Sequence, residues 1–478
     1  MTHATIRSES NGLQQLETTS RAALIAAMSY ALDITEGQPP GHAARTCLIG
    51  MRLAQVLQLS AAERDSLYYA LLLKDLGCSS NAAKMCYLFG ADDRTVKRDV
   101  KTVDWAKMSA SFQFITSHVA PQRSPLERAM KIAATLLQGP GSAKKLIETR
   151  CERGADLARR MGFDEATATG ILQLDEHWDG CGHPVGLKGE EIGLPARIMG
   201  LAQTVEVFHS EFGRDAALAM ASQRRGGWFD PALVDALVGL GTDDRLWSDL
   251  LAPNPHELAE RLAPQEHEMS LDEAGVDRIA EAYAAVVDAK SPWTHKHSQG
   301  VADICIGMGK VLGLPQTELR ALRRIGLLHD IGKLGVSNSV LDKPGKLTEA
   351  EFDMLKTHPE HSHAILSRTE CFSEVAEVAA SHHEKLDGSG YHRGLSDRDL
   401  PIASRIVTVA DMFEAMTASR PYREGMAIEK VMDILKREGE HSVCPDSVEA
   451  LQRWLDGENF ESRVNQQLEA VENLVAEL

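Results

Sequence analysis

The sequence predicts an all-α protein built from two tandem copies of one helical domain, the N-terminal copy degenerate, and three observations point there. The 478 residues exceed one ordinary core and suit two domains of about 200 residues each. Segments such as RAALIAAMSYALDIT and RIAEAYAAVVDA space alanine and larger apolar residues as helices do. One skeleton of spacings also runs through both halves.

The repeat is visible in the intervals. His42 to Lys74 is 32 residues, as is His297 to His329; Arg150 to Leu174 is 24, as is His358 to His382. Gln203 and Asp411 each stand 24 residues after an Asp-Gly, at Asp179 and Asp387. The text between stays in register: TRCERG faces THPEHS, LDEHWDGCGHPVGL faces HHEKLDGSGYHRGL, and ARIMGLAQTVE, ending near Glu206, faces SRIVTVADMFE, ending at Glu414. The large mismatch lies between Lys74 and Arg150, 76 residues apart against 29 between His329 and His358, which implies an insertion of about 47 residues.

Taken in order, residues 1–18 are polar and read as a flexible N-terminus. Residues 19–250 form the first domain. GQPPG and SPW break a helix before His42 and His297, and an Asp precedes each of these histidines by nine residues, Asp33 and Asp288. The insertion, near 91–145, holds the charged DDRTVKRDVK and a Gly-Pro-Gly break at Gly139; it reads as helical and peripheral, a solvated face or a partner surface. Residues 251–270, with three prolines, read as a linker with a short helix. The second domain covers 271–460. Residues 461–478 place Val464, Leu468, Val471, Leu474, Val475 and Leu478 along one side of an amphipathic helix, suited to covering a neighbouring domain or pairing with another subunit.

A formal net charge of −18 repels duplex nucleic acid, so a phosphate-bearing ligand is expected to be small and held by a local cationic patch. The eight cysteines form no CxxC pair and the start of the chain lacks a signal-peptide core, which predicts reduced thiols in a cytoplasm. No apolar run approaches the roughly 20 residues that cross a bilayer. A homodimer, or a signalling partner held through the first domain, is a further expectation.

The chemistry-bearing residues of the second half are His297, His329, Asp330, His358, His382, His383 and Asp411. A single histidine in such a set is ordinarily a satisfied core or surface residue. All seven together read as ligands for two metals, because the first half keeps the scaffold without them: it has Lys74, Arg150, Leu174, Asp175 and Gln203 at the corresponding positions, and only His42 and Asp75 survive. Lysine and arginine repel a divalent ion, so the first domain is expected to be metal-free. Neutral imidazoles with few carboxylates suit Fe, Mn, Zn, Ni or Co better than Ca or Mg. Were ELRALRRIGLLHDIGK helical throughout, Lys333 would share a face with His329 and Asp330.

HDIGKLGVSNSVLDKPGKLTEAEFDMLKTHPEHS, HHEKLDGSGYHRGL and SRIVTVADMFEAMTASRPYR resemble the HD-GYP subgroup of the HD-domain phosphohydrolases, over about residues 275–460. The resemblance implies an all-helical, metal-dependent phosphodiesterase acting on cyclic di-GMP or a related cyclic dinucleotide. It implies that His297, His329, Asp330 and Asp411 hold one ion and Asp330, His358, His382 and His383 the other, Fe or Mn foremost. Asp330 would bridge them, Lys333 would meet the scissile phosphate, Arg420 and Arg423 would grip phosphate oxygens, and Gly388, Gly390 and Tyr391 would shape the adjoining loop. Two departures stand out. The signature Gly-Tyr-Pro reads Gly390, Tyr391, His392, and the position that supplies a third-metal glutamate in some members is Trp293. Two ions rather than three are therefore expected, with hydrolysis by water activated between them. His295, His361, His363 and His392 read as neighbours of ligands rather than ligands. The alternatives are a signalling module that binds nucleotide or partner without turnover, and an HD hydrolase of another phosphate ester. The first domain reads as a structural or regulatory copy whose cations could still hold an anion.

Overall fold

A computed structural model describes residues 19–104, 107–137, 139–263, 270–294, 296–419, 424–439 and 441–457. The polar N-terminus, the amphipathic segment 461–478, His295, Arg420 and Arg423 lie outside the described residues. The fold is all-α. In the first half the helices are α1 Arg21–Thr35, α2 His42–Val56, α3 Ala61–Leu73, α4 Ala82–Phe89, α5 Asp93–Val100, α6 Met108–His118, α7 Pro125–Leu137, α8 Gly139–Arg160, α9 Glu165–Leu172, α10 Leu194–Phe212, α11 Arg214–Gln223, α12 Pro231–Gly239, α13 Asp244–Asp249 and α14 Pro255–Glu260. The second half holds α15 Glu273–Asp288, α16 His297–Val311, α17 Gln316–Leu328, α18 Asn338–Leu341, α19 Glu349–Leu355, α20 His358–Leu366, α21 Ser373–Ala379, α22 Ile402–Thr417, α23 Ile428–Glu438 and α24 Pro445–Gly457.

Local sequence sets the helix starts. Ser60 and Glu63 close a capping box on α3, Thr348 and Glu351 another on α19, and the Asp272 carboxylate accepts Gly275 N–H at 2.7 Å to open α15. The pair of buried aspartates nine residues before His42 and His297 has the same task. Asp33 accepts Gly41 N–H at 2.7 Å and Ala43 N–H at 2.9 Å; Asp288 accepts the Ser298 hydroxyl at 2.7 Å. Each thereby ties the end of one helix to the start of the next, where the histidine sits.

The two halves follow one plan, with α2 on α3 and α10 matched by α16 on α17 and α22. The first helix of each half is shared. Helix α1 packs on α2 and α3 and also on residues 331–335 and α20 of the other half, while α15 packs on α16 and α17 and also on residues 78–81 and α8. At the head of each shared helix two two-residue strands, β1 Thr19–Ser20 and β2 Ser270–Leu271, pair antiparallel. One hydrophobic core consequently runs through both halves, from Leu24 and Met28 to Leu451 and Trp454.

The segment after residue 250 holds a short helix, α14, which packs on α1 and α2 with Ala259 buried. One expectation meets a different outcome. The insertion is peripheral only in part. Its α6 and α7 stand at the surface, but α5 is wedged between the halves: Asp93 is buried, accepts Asn338 N–H at 2.9 Å and lies 3.7 Å from the buried Lys290 ammonium.

Candidate metal centre

Four helix ends deliver the second half's donors to one buried pocket. His329, His358 and His382 each follow the last turn of a helix, and each Nδ1 faces the carbonyl three residues back: Gly326 at 2.8 Å, Leu355 at 2.7 Å and Ala379 at 2.5 Å. Those carbonyls have no partner within their own helices, so an imidazole N–H satisfies each and the ring is aimed in the same stroke. His297 opens α16 instead and its Nδ1 meets the Glu414 carboxylate from α22. With Nδ1 as the donor, Nε2 of all four rings keeps a free lone pair pointing inward.

Asp330 sits where those lone pairs converge. Its Oδ2 lies 3.4 Å from His297 Nε2 and 3.3 Å from His329 Nε2, whereas its Oδ1 lies 3.4 Å from His358 Nε2 and 3.6 Å from His382 Nε2. Asp411 Oδ1 completes the first group at 3.4 Å from His297 and 3.8 Å from His329. His383 joins His358 and His382 in a second group. Ligand atoms bound at about 2.1 Å to one ion stand about 3–3.5 Å apart along the edges of its polyhedron, so these separations fit metal coordination. The buried polar atoms agree: among the described residues His297 Nε2, His329 Nε2 and Asp330 Oδ1 have no hydrogen-bond partner.

Electrostatics prepare the donors. Burial opposes ionising Asp330, but the Lys333 ammonium beside it and the rings of His329 and His297 outweigh that and hold its carboxyl well below the usual range. Asp411 is likewise held down, against the cost of burial, by His297 and His329. Burial drives the His358 ring down to about 3 and His383 well below its ordinary value, so both rings are neutral and able to donate a lone pair. His297 departs from this: burial disfavours its charge, yet Glu414 and the Asp330 and Asp411 carboxylates lift it well above the ordinary value.

The HDIGK segment is not a continuous α-helix. Helix α17 ends at Leu328 and residues 331–335 turn as a 3-10 helix, yet Lys333 still reaches Asp330. The tighter turn is required because Gly332 presses on α20, where a Cβ would fall on His358 O and lie 2.5 Å from Ser362 N. Tyr391 stacks on His383 with ring centroids 4.7 Å apart. Gly388 has φ +74°, and a Cβ on Gly390 would lie 2.6 Å from His383 O. His361 packs against Gly335, His363 Nε2 meets Glu377 at 2.8 Å, and His392 stands outside both donor groups. Two residues that the sequence reading passed over hold the arrangement. Glu414 orients His297, and buried Glu384 accepts N–H groups of Arg393, Gly394 and Leu395 at 2.6–3.2 Å, fastening the loop that bears Tyr391. Their counterparts Glu206 and Glu176 do the same in the first half.

In that first half cations stand among the carboxylates. Lys74 Nζ lies 3.0 Å from His42 Nε2 and pairs with Asp75; Arg150 pairs with Asp175. Glu36, Asp75 and Cys78 lie close enough together to hold an ion, but Lys101, supplied by the insertion just after α5, reaches Glu36 at 3.0 Å and Asp75 at 3.7 Å.

A helical scaffold that gathers an adjacent His-Asp pair with four further histidines and a distal aspartate defines the HD-type metal-dependent phosphohydrolases. The HD-domain family matches residues 141–233 and 281–445. The chain belongs to this family, and its second half to the HD-GYP subgroup. It is 43% identical over 433 residues to 3'3'-cGAMP-specific phosphodiesterase 3 of Vibrio cholerae, covering 91% of this chain and 94% of that protein. It is 37% identical over 159 residues to a cyclic di-GMP phosphodiesterase of Thermotoga maritima, covering 33% and 43% respectively. A crystal structure of a cyclic GMP-AMP-specific phosphodiesterase of V. cholerae superposes with a TM-score of 0.64 at 39% identity, covering 93% of this chain and 99% of that one. Among the described residues no helix is long and apolar enough to cross a membrane.

Proposed function

We propose that this chain is a metal-dependent phosphodiesterase of cyclic dinucleotides, with 3'3'-cGAMP as its preferred substrate and cyclic di-GMP as the second. The observation that carries the reading is Asp330, whose two oxygens face two separate sets of imidazoles in a buried pocket beside Lys333. The preference for cGAMP rests on likeness across both halves to the cGAMP-specific enzyme, where the cyclic di-GMP phosphodiesterase of T. maritima matches only 33% of the chain. Two divalent transition ions, Fe or Mn foremost and Ni, Co or Zn as substitutes, would lower the pKa of a bound water and neutralise charge on the phosphate. His297, His329, Asp330 and Asp411 would hold one, and Asp330, His358, His382 and His383 the other.

The chain's own groups do the rest. Lys333 offers an ammonium to the scissile phosphate without leaving Asp330. Glu414 and the helix-end carbonyls fix the ligand rings, so no reorganisation is needed on loading. The Tyr391 ring walls the pocket beside His383, and the Gly388–Gly390 loop lets the dinucleotide approach; Arg420 and Arg423 are assigned to its phosphates on the resemblance. A second reading, binding without turnover, is favoured by His392, whose φ of +99° no proline can adopt, so this loop follows a path closed to the usual signature.

The test is turnover of 3'3'-cGAMP and cyclic di-GMP by the chain loaded with Mn or Fe, followed by chromatography of products. Faster loss of cGAMP, abolished in Asp330→Ala, supports the proposal. Tight binding without turnover supports the second reading, and hydrolysis confined to phosphate monoesters sinks both. Metal analysis of the same sample is expected to give about two ions per chain; three would overturn the part assigned to Trp293.

A further inference from the structure

We infer that the surface hairpin α6–α7 is the seat for residues 458–478 of a second copy of this chain. Helix α7 is turned inside out. Its polar residues point inward: Arg128 donates to Thr116 O at 2.8 Å, Lys131 covers the Tyr87 ring at 4.5 Å, and the Thr135 hydroxyl donates to Leu88 O at 3.2 Å. Ile132 packs inward beside Val96 and Phe114, but the helix's other large apolar residues point out. Leu126 is 72%, Met130 57% and Leu137 87% exposed, and no residue of this 13-residue helix is buried. Phe112 and Met108 of α6, 57% and 88% exposed, extend the apolar surface. An apolar stripe of that kind on a water-facing helix marks a contact surface.

Charge narrows the occupant. Residues 107–145 carry Lys107, Arg123, Arg128, Lys131, Lys144 and Lys145 against the lone acid Glu127, in a chain whose formal net charge is −18. Residues 458–478, outside the described residues, carry the opposite sign: Glu458, Glu461, Glu469, Glu472 and Glu477 against Arg463. The apolar spacing matches as well. Leu126, Met130, Ala133 and Leu137 follow one another by four, three and four residues, as Val464, Leu468, Val471 and Val475 do. At 1.5 Å per residue in a helix each stripe would run about 17 Å, so the two match in length.

The partner is placed in a second copy because the segment leaves α24, which packs on α16, α22 and α23, whereas the hairpin rests on α4. Exchange about a two-fold axis makes the contact twice and closes the assembly. Attraction between hairpin and tail also offsets the repulsion between two strongly acidic chains.

Light scattering after size exclusion, at tens of micromolar protein and low salt, tests this. The full chain is expected at twice the mass of one chain, and both Leu126→Glu/Met130→Glu and a truncation after Gly457 at the mass of one. Mixing these two variants is expected to restore a two-chain species, since each supplies the surface the other lacks. Thermal melts matching the parent confirm that the variants fold. A single-chain mass for the full protein overturns the proposal, whether the tail then covers its own hairpin or the hairpin binds anionic vesicles instead. A dimer that survives both variants overturns it too.

Discussion

His297 and Glu414 show how one carboxylate governs a ligand. Glu414 accepts the Nδ1 proton and so points the Nε2 lone pair at Asp330 and Asp411, but in the metal-free chain it also helps hold a second proton on the ring, well above the ordinary histidine range. Metal and that proton compete for Nε2. Affinity should therefore rise with pH while His297 is protonated and level off above its pKa; His358, at about 3, and His383 contribute nothing to this slope because burial keeps them neutral. Glu414→Ala removes both effects. At pH 8 the lost orientation should weaken metal binding about 10–100-fold, and the gap to the parent should narrow as pH falls, because the variant no longer holds the competing proton. Metal titration at pH 6, 7 and 8 reads both; a constant gap would mean that Glu414 does not set the protonation of His297. The seven donors that converge on the buried pocket were legible because they change against a fixed repeat. Glu414 was not, for the same reason: the first half keeps it as Glu206, and a contrast between copies is blind to what both retain.

The element that matters most is the turn after α17. A run of apolar residues ending in HDIGK reads as unbroken helix, yet α17 ends at Leu328 and residues 331–335 turn as a 3-10 helix held closely against α20. Periodicity reports which face is apolar; it carries no information on how closely two backbones approach. That approach depends on Gly332, whose missing side chain lets the turn touch His358 O and Ser362 N, as Gly77 does against Arg150 O in the first half. Gly332→Ala should push α20 outward by several tenths of an ångström or more, since a packed interior has no void to absorb a methyl group. His358 moves with its helix. Turnover is expected to fall by about 100-fold with metal content reduced, while circular dichroism still shows a folded, helical chain. Gly313→Ala is the contrast: nothing lies within 4 Å of its Cβ, so despite φ +74° the cost is limited to local backbone strain of about 1–2 kcal/mol. Equal loss of activity in the two variants would argue against the close approach as the cause.

At the scale of the whole molecule the halves are joined by shared helices and by one buried charge pair. The shared helices could not be read from sequence, since the apolar faces of α1 and α15 look alike whether they cover their own domain or the neighbour's. Nor could the wedge at α5, where a charged stretch reads as solvated until Asp93 is seen buried against Lys290 and Asn338. Burial pulls the Lys290 ammonium down to about 8 despite Asp93. A lysine depressed in this way penalises the folded state at every pH below about 8, and the penalty is relieved as pH climbs from there toward the unfolded value near 10.5. Asp93→Ala removes the compensating charge and strands Asn338 N–H. At pH 7 Lys290 escapes by losing its proton, which caps the electrostatic loss, so the total should be about 2–4 kcal/mol. Because the Asp93–Lys290 pair exists only while Lys290 is charged, the difference between parent and variant should shrink between pH 7 and 9, leaving the shares owed to the orphaned amide and to the buried Lys97 ammonium, 3.5 Å from Asp93. Lys290→Met in the Asp93→Ala background should recover the electrostatic share at pH 7. Since one core spans both halves, each of these chains should melt in a single transition. Two separated transitions in the parent, or a difference that holds steady to pH 9, would place the coupling elsewhere in the interface.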